Sequence, residues 1–312
     1  MKTLKTAVIG VGYLGKFHAE KYHNIPDSEL IAVIDKNAEL VQEIATKLNV
    51  QALTDFTKLK GKVDAVSIVV PTQLHYETAK FFLENNIHVL LEKPITTTVK
   101  QASELVQLAN KNNIILQVGH LERFNPAILA LKDVLNKPLF IESHRVAPFN
   151  PRGADVNVIL DLMIHDIDII MNMVKSRVTH IDANGVTVLS NDIDIANIRL
   201  QFESGCVANV TASRAGLKSE RKMRLFQHDA YITIDFQNKK LGIHRKGEGE
   251  MYPGVSNIKS EEQAFDHGDA LFSEIESFLN AIRNKTKPVV SGEDGQLALE
   301  TALKITDLLK QK

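Results

Sequence analysis

Short apolar runs and helix-period segments alternate through the first 120 or so residues, the order of a parallel sheet covered by helices on both faces. Apolar runs at 5–10, 30–35, 63–70, 87–91 and 114–118, with a short one near 51–53, read as strands. Segments near 13–24, 37–47, 73–85 and 97–112 carry apolar residues at helical spacing between them, with Asn85-Asn86 and Asn110 to Asn113 punctuating helix ends. After Gly119 the pattern changes. A helix is predicted near 125–135, a strand at 139–146 and an apolar helix at 156–174. From 178 to 245 apolar and polar residues alternate, as in Ile198-Arg199-Leu200-Gln201-Phe202, which predicts an open, mostly antiparallel sheet with one face covered. Helices near 268–284 and 294–310 close the chain, and 246–267, rich in glycine and acid, reads as a mobile loop.

The first strand runs into Gly10-Val11-Gly12-Tyr13-Leu14-Gly15, a G-x-G-x-x-G that opens a helical pattern. Gly10 permits the tight turn, Gly12 lets backbone N–H groups approach a pyrophosphate, and Gly15 lets the helix pack closely on its strand. The helix N-terminus favours the phosphate charge. The next strand ends in Asp35, twenty residues beyond Gly15, where a carboxylate can accept both ribose hydroxyls of an adenosine. NAD is therefore expected over NADP, whose 2′-phosphate Asp35 would repel, although Lys36 beside it can reach a phosphate. The expected fold class is α/β, with an N-terminal Rossmann doubly wound parallel sheet over 1–121 and a C-terminal α/β domain with a large open, mostly antiparallel sheet over 122–312.

A length of 312 residues favours two cores over one. With 44% hydrophobic and 24% charged residues the chain reads as globular, and a formal charge of -1 gives no reason to expect a nucleic-acid or membrane-surface partner. The single Cys206 excludes an internal disulfide and reads as a small buried hydrophobe. No apolar run approaches a membrane span, so a cytoplasmic protein is expected.

Two constellations carry further chemistry. The strand at 87–91 runs into Glu92-Lys93-Pro94, placing a charge pair at the carboxyl end of a parallel strand, where open α/β sheets bind ligands. Lys93 is a candidate acid/base, since a lysine desolvated beside a cationic nicotinamide is shifted toward the working pH; the alternative is a surface Glu-Lys pair ending a strand. In the helix at 156–174, a step of about 100° per residue puts Asn157, Asp161, His165, Asp168 and Asn172 on one narrow stripe, with Asp166 pointing away. A polar stripe on an apolar helix faces water, a partner or a cleft. A solvated face would be richer in Lys and Glu, and 157–174 has neither. His165 with Asp161 one turn earlier is then an oriented proton carrier. One histidine with carboxylates and no second histidine nearby does not predict a metal site.

These residues carry a family resemblance. Gly10-x-Gly12-x-x-Gly15-x-x-His18, Asp35, Pro71-Thr72 with His75, Glu92-Lys93-Pro94, Asp161-x-x-x-His165 and the late Val290-Ser291-Gly292-Glu293-Asp294-Gly295 turn together resemble the Gfo/Idh/MocA family, over nearly the whole chain. The resemblance implies a nicotinamide-dependent oxidoreductase that oxidises a CH–OH group and pairs through its large sheet into a homodimer or homotetramer. It implies Lys93 as catalytic lysine, with Asp161 and His165 positioning and deprotonating the substrate hydroxyl. It implies cofactor contacts from Gly10, Gly12, Tyr13, Leu14, Gly15, Asp35, Lys36, Pro71, Thr72, His75, Glu92 and Lys93. Where the family often has glycines, this chain has Ala154-Asp155-Val156 and Leu162-Met163-Ile164, which alters the pocket wall.

The stretch from Gln117 through Arg123-Phe124-Asn125-Pro126, with 160–168, looks like the branch that oxidises the 3-hydroxyl of UDP-N-acetylglucosamine, after which a transaminase commonly makes an amino sugar for lipid A or other surface glycans. Arg123, Asn125 and Arg214 join Asp161 and His165 as substrate-binding candidates. Guanidinium forks match a diphosphate, and Arg214 shares the strand parity of Ala208, Val210 and Ala212; the alternative for each arginine is an exposed residue at an element end. Three function classes follow: a nucleotide-sugar dehydrogenase, a dehydrogenase of inositol or another free polyol or sugar, and a catalytically silent NAD-binding regulator.

Overall fold

The computed structural model describes residues 3–150, 156–265 and 268–311. The chain divides into two compact units, Met1–Leu121 with Asp269–Leu299, and Glu122–Gly268 with Glu300–Lys312. The first contains β1 (Leu4–Ile9), α1 (Gly15–Asn24), β2 (Ser28–Ile34), α2 (Ala38–Leu48), β3 (Gln51–Leu53), β4 (Ala65–Ile68), α3 (His75–Glu84), β5 (His88–Glu92), α4 (Val99–Asn112) and β6 (Leu116–Gly119). Its six strands pair in parallel in the order β3-β2-β1-β4-β5-β6, so the direction of winding reverses between β1 and β4. Ligands bind such sheets outside the carboxyl ends of the strands at that reversal. Both faces are covered, and accordingly every residue of β4 is buried.

Capping explains the helix limits. The Asn37 side chain accepts from Glu39 N and Leu40 N to start α2, and Thr98 accepts from Gln101 N to start α4. Asn49 and Asn113 end the same helices in the left-handed region at φ of 55° and 54°.

The first unit also recruits a late helix, α7 (Ala270–Asn284), started by the side chain of Asp269. Its Leu271, Ile275, Phe278 and Leu279 share one apolar cluster with Val8, Tyr22, Val33 and Leu90. Residues 269–299 thus belong to the first unit although they lie far along the chain. Helical periodicity says that a face is buried and is silent on which sheet buries it.

The second unit holds α5 (Pro126–Leu129), β7 (Phe140–Val146), α6 (Ile164–Val174), β8 (Val178–Val186), β9 (Ile195–Phe202), β10 (Val207–Ser213), β11 (Glu220–Phe226), β12 (Ala230–Asp235), β13 (Lys240–Tyr252) and β14 (Val255–Ala264). Its eight strands run β14-β13-β12-β11-β7-β10-β9-β8, antiparallel except for the parallel pair β7 and β10. Along β9 the alternation is as expected, with Ile198, Leu200 and Phe202 buried and Arg199 exposed. The final helix α8 (Gly292–Lys310) contributes to both units. Among the described residues no helix is long and apolar enough to cross a membrane.

Three expectations are corrected here. Most of the segment 246–267, expected to be a loop, is the far part of a long β13–β14 hairpin turning at Gly254; its positions are mostly exposed on both faces, so no apolar alternation marked it as strand. Residues 266 and 267 lie outside the described residues. The helix near 125–135 is only the short α5 followed by a 3-10 turn over Ala130–Asp133, since this stretch buries little beyond Ala127 and Leu131. The helix at 156–174 begins as a π-helical turn, Ile159–Met163, before becoming α6.

Phe278 is fully buried in the shared cluster. Phe278→Ala is expected to cost about 3–5 kcal/mol of unfolding free energy, measured by urea denaturation.

Candidate active site

The glycine turn has the geometry its sequence demands. Gly10 sits at φ 85°, and a Cβ there would lie 2.5 Å from the Val69 carbonyl oxygen. A Cβ on Gly15 would lie 1.8 Å from the Gly10 carbonyl oxygen. Gly12 differs: a Cβ there would meet nothing within 4 Å, so its space opens outward. Leu14 at the N-cap of α1 supplies no side-chain cap, and the Tyr13 ring stands 63% exposed with its edge against Phe17. Asp35, just past β2, accepts from Val11 N at 2.9 Å and Asn37 N at 3.0 Å, which fixes its carboxylate beside the turn. Lys36 next to it is exposed. An open glycine, a helix start without a side-chain cap and a held carboxylate fit a dinucleotide such as NAD.

Lys93 follows β5 at the sheet's carboxyl edge and is half-buried. Its neighbour Glu92 is held from several sides. Glu92 Oε1 lies 3.2 Å from His18 Nε2, Oε2 accepts from Lys93 N at 3.2 Å, and a Cβ on Gly119 would lie 2.9 Å from its carboxyl. His18 is fully buried and its Nδ1 lies 3.2 Å from Ser67 Oγ, which in turn is 2.9 Å from the Tyr22 hydroxyl. Burial pushes the Glu92 carboxyl up, but the His18 hydrogen bond and charge, with the Lys93 cation, outweigh it and hold Glu92 below the usual carboxylate range. Glu274 of α7, fully buried, is pushed well above the usual carboxylate range by burial and by the Glu92 charge. His18 was part of the sequence motif, but its contacts with Glu92 and Ser67 were not foreseen. The available signal was its place three residues after Gly15 on one helix face.

Pro71 and Thr72 follow β4, where Thr72 begins a single 3-10 turn over Thr72–Leu74. His75 was expected at the cofactor. It is buried, with Nε2 2.8 Å from the Val70 carbonyl and Nδ1 2.9 Å from the Pro94 carbonyl.

In the second unit, Asn157 accepts from Ile159 N and Leu160 N and so starts the helical run. The π turn that follows contains Asp161, and His165 lies in the first turn of α6. Such turns inside helices recur at functional sites. Asp161, His165 and Asn172 of the polar stripe are half-buried, while Asp168 is buried. Arg123 donates to both Asp168 oxygens, at 2.7 Å and 3.0 Å. Asp166, on the far face, accepts from Arg145 Nε at 2.6 Å and Ser143 Oγ at 2.9 Å, and Arg145 also reaches Glu122 at 2.9 Å. Together with burial, which alone would lower it, the Asp166 and Glu122 charges leave the Arg145 guanidinium firmly cationic.

Arg214 has the buried parity expected for it, and that parity takes it inward to Asp194 at 2.8 Å, the Val156 carbonyl at 2.6 Å and Ser190 Oγ at 3.0 Å. Asn125 accepts from Ala127 N and donates to the Phe236 carbonyl. Arg123, Arg214 and Asn125 thus each make internal bonds in this unit. Ala154 and Asp155 lie outside the described residues. Among the described residues no group of three or more His, Cys, Asp or Glu side chains could hold a metal ion.

The fold and the glycine turn define a class, a dinucleotide-binding oxidoreductase with a second sheet-based unit. Comparison with known proteins agrees. Residues 4–120 match the model of an oxidoreductase family with an NAD-binding Rossmann fold, and 141–233 match the GFO/IDH/MocA C-terminal domain. The chain is 38% identical to a UDP-N-acetylglucosamine 3-dehydrogenase of Acidithiobacillus ferrooxidans, over 97% of this chain and 96% of that one. A solved structure of an enzyme of that name from the same organism superimposes with a TM-score of 0.93 at 37% identity, covering 100% of this chain and 99% of the other. A myo-inositol 2-dehydrogenase of Thermotoga maritima is 25% identical over 95% of this chain and 93% of its own. The chain belongs to the Gfo/Idh/MocA family of NAD-binding oxidoreductases.

The glycine geometry separates folding from binding. Gly12→Ala should leave the urea midpoint unchanged and weaken NAD binding by about tenfold or more, roughly 1.4 kcal/mol, by calorimetry. Gly15→Ala should lower the midpoint clearly, because the new methyl has no room.

Proposed function

We propose that this oxidoreductase uses NAD to oxidise the 3-hydroxyl of UDP-N-acetylglucosamine to a ketone. The observation that carries the reading is the 38% identity, spanning both units, to an enzyme of that name, against 25% to the inositol enzyme. The product ketone suits transamination to an amino sugar, a step toward surface glycans of the lipid A type.

The chemistry asks two things of the chain. As the C3–H bond breaks, its electron pair and hydrogen leave as hydride, and the O–H proton must have a base to go to. Bound NAD supplies the hydride acceptor. His165, oriented by Asp161, and Lys93 are the groups we assign to the hydroxyl proton, one as the immediate base and the other holding the substrate oxygen. Asp35 is assigned to the adenosine ribose hydroxyls, so NAD is the cofactor of choice and the repelled 2′-phosphate makes NADP the poorer one.

Lys93→Met and His165→Asn should each keep NAD affinity within about twofold while turnover falls by about two orders of magnitude or more. Asp166→Asn should instead act on folding, because it leaves the buried Arg145 poorly paired, at a cost of about 3–5 kcal/mol. UDP-N-acetylglucosamine should reduce NAD when a transaminase and an amino donor draw off the ketone, with free N-acetylglucosamine a poor substrate. Efficient oxidation of inositol, with no thermal shift from UDP-sugars, would move the assignment to a polyol dehydrogenase.

A further inference from the structure

Both ring nitrogens of His75 face carbonyl oxygens, Val70 at 2.8 Å and Pro94 at 2.9 Å. A carbonyl oxygen only accepts, and a neutral imidazole has one N–H to give. The ring satisfies both carbonyls only with two protons, and with one it must leave one of them. The two carbonyls belong to segments that matter. Val70 follows β4 and precedes Pro71-Thr72, and Pro94 follows Lys93 at the end of the adjacent parallel strand β5. His75 itself is the first residue of α3 and 1% exposed, so water does not readily replace either bond.

We propose that His75 is a positioning residue for Lys93: its two-proton form clamps the Val70-Pro71-Thr72 and Lys93-Pro94 segments together, and its one-proton form releases one of them. The proposal rests on the assignment of Lys93 to the reaction. Lys93 is then fixed from both sides, through Glu92 by His18 and through Pro94 by His75.

The groups facing the ring decide where the clamp opens. Glu92 at the end of β5 is the charge that acts on it, itself engaged by His18 of α1 and by Lys93. On its own helix, Tyr76 is turned to Lys80 and to Glu104 of α4. Burial pulls the His75 imidazolium down, the Val70 and Pro94 carbonyls, Glu92 and the Ile95 backbone oppose this, and the ring stays below the ordinary histidine range. For a base the sign is direct: both bonds are held below its midpoint, and one is lost as pH rises through it.

The test uses the full-length protein, 15N-labelled at histidine. His75 ring signals, assigned by their loss in His75→Gln, should show two ring protons in acid and one at higher pH, with a midpoint below the ordinary histidine range. The ratio of wild-type to His75→Gln kcat for UDP-N-acetylglucosamine, where a glutamine amide can serve one carbonyl as donor, should rise at least fivefold as pH falls through that midpoint. A ring that keeps one proton wherever the protein stays folded, or a ratio flat with pH, overturns the proposal. The ring signals need no turnover, and if the variant fails to fold, through-bond correlation of ring to backbone in uniformly 13C,15N-labelled wild type assigns them instead. If the wild type does not oxidise this sugar, the substrate reading fails separately.

Discussion

A carboxylate at the end of a buried strand is expensive unless it is paired, and Glu92 imposes that condition on the first unit. β5 is buried through Val89, Leu90 and Leu91 and then delivers Glu92 and Lys93 to the edge of the sheet. His18 of α1 meets the carboxylate, Gly119 of β6 leaves room for it, and α7 brings Glu274, an acid pushed up by burial and by the Glu92 charge. The glycine turn and the charge pair are therefore parts of one arrangement. Gly15 draws α1 close to the sheet, and that closeness is what brings His18 within reach of Glu92.

The second unit meets the same demand by a different route. α6 is so apolar that its carboxylates need dedicated partners, and arginines from elsewhere in the unit supply them: Arg123 for Asp168 and Arg145 for Asp166. Such buried pairs add little net stability, but removing one partner is costly, so they hold one rotation of the helix. What they leave half-open is the part of the polar stripe that bears Asp161 and His165.

Local chemistry was legible in the sequence and partner choice was not. The local geometry of Gly10, Gly15 and Asp35 could be read ahead because it depends on the backbone within a few residues and on the end of the next strand. The alternation in β9 and the Asn113 end of α4 were legible for the same reason. Arg123 and Arg214 read as ligand contacts because a guanidinium matches a diphosphate and a carboxylate equally well, and only the fold brings Asp168 and Asp194 to them. The destination of α7 and the hairpin β13–β14 were missed because helical periodicity does not name a sheet, and a strand exposed on both faces leaves no periodic trace. The π turn before α6 changes the angular step of a helix without any residue that marks it.

The proposed reaction is transfer of a hydride from one carbon of a nucleotide sugar, with side chains of this protein taking the accompanying proton. The most direct measurement is transfer of isotope. UDP-N-acetylglucosamine deuterated at C3 would be incubated with the protein and NAD, and the reduced cofactor analysed by mass spectrometry. The account predicts that the reduced cofactor carries one deuterium. Reduced cofactor without deuterium, or none formed while another sugar or polyol reduces NAD readily, would contradict it.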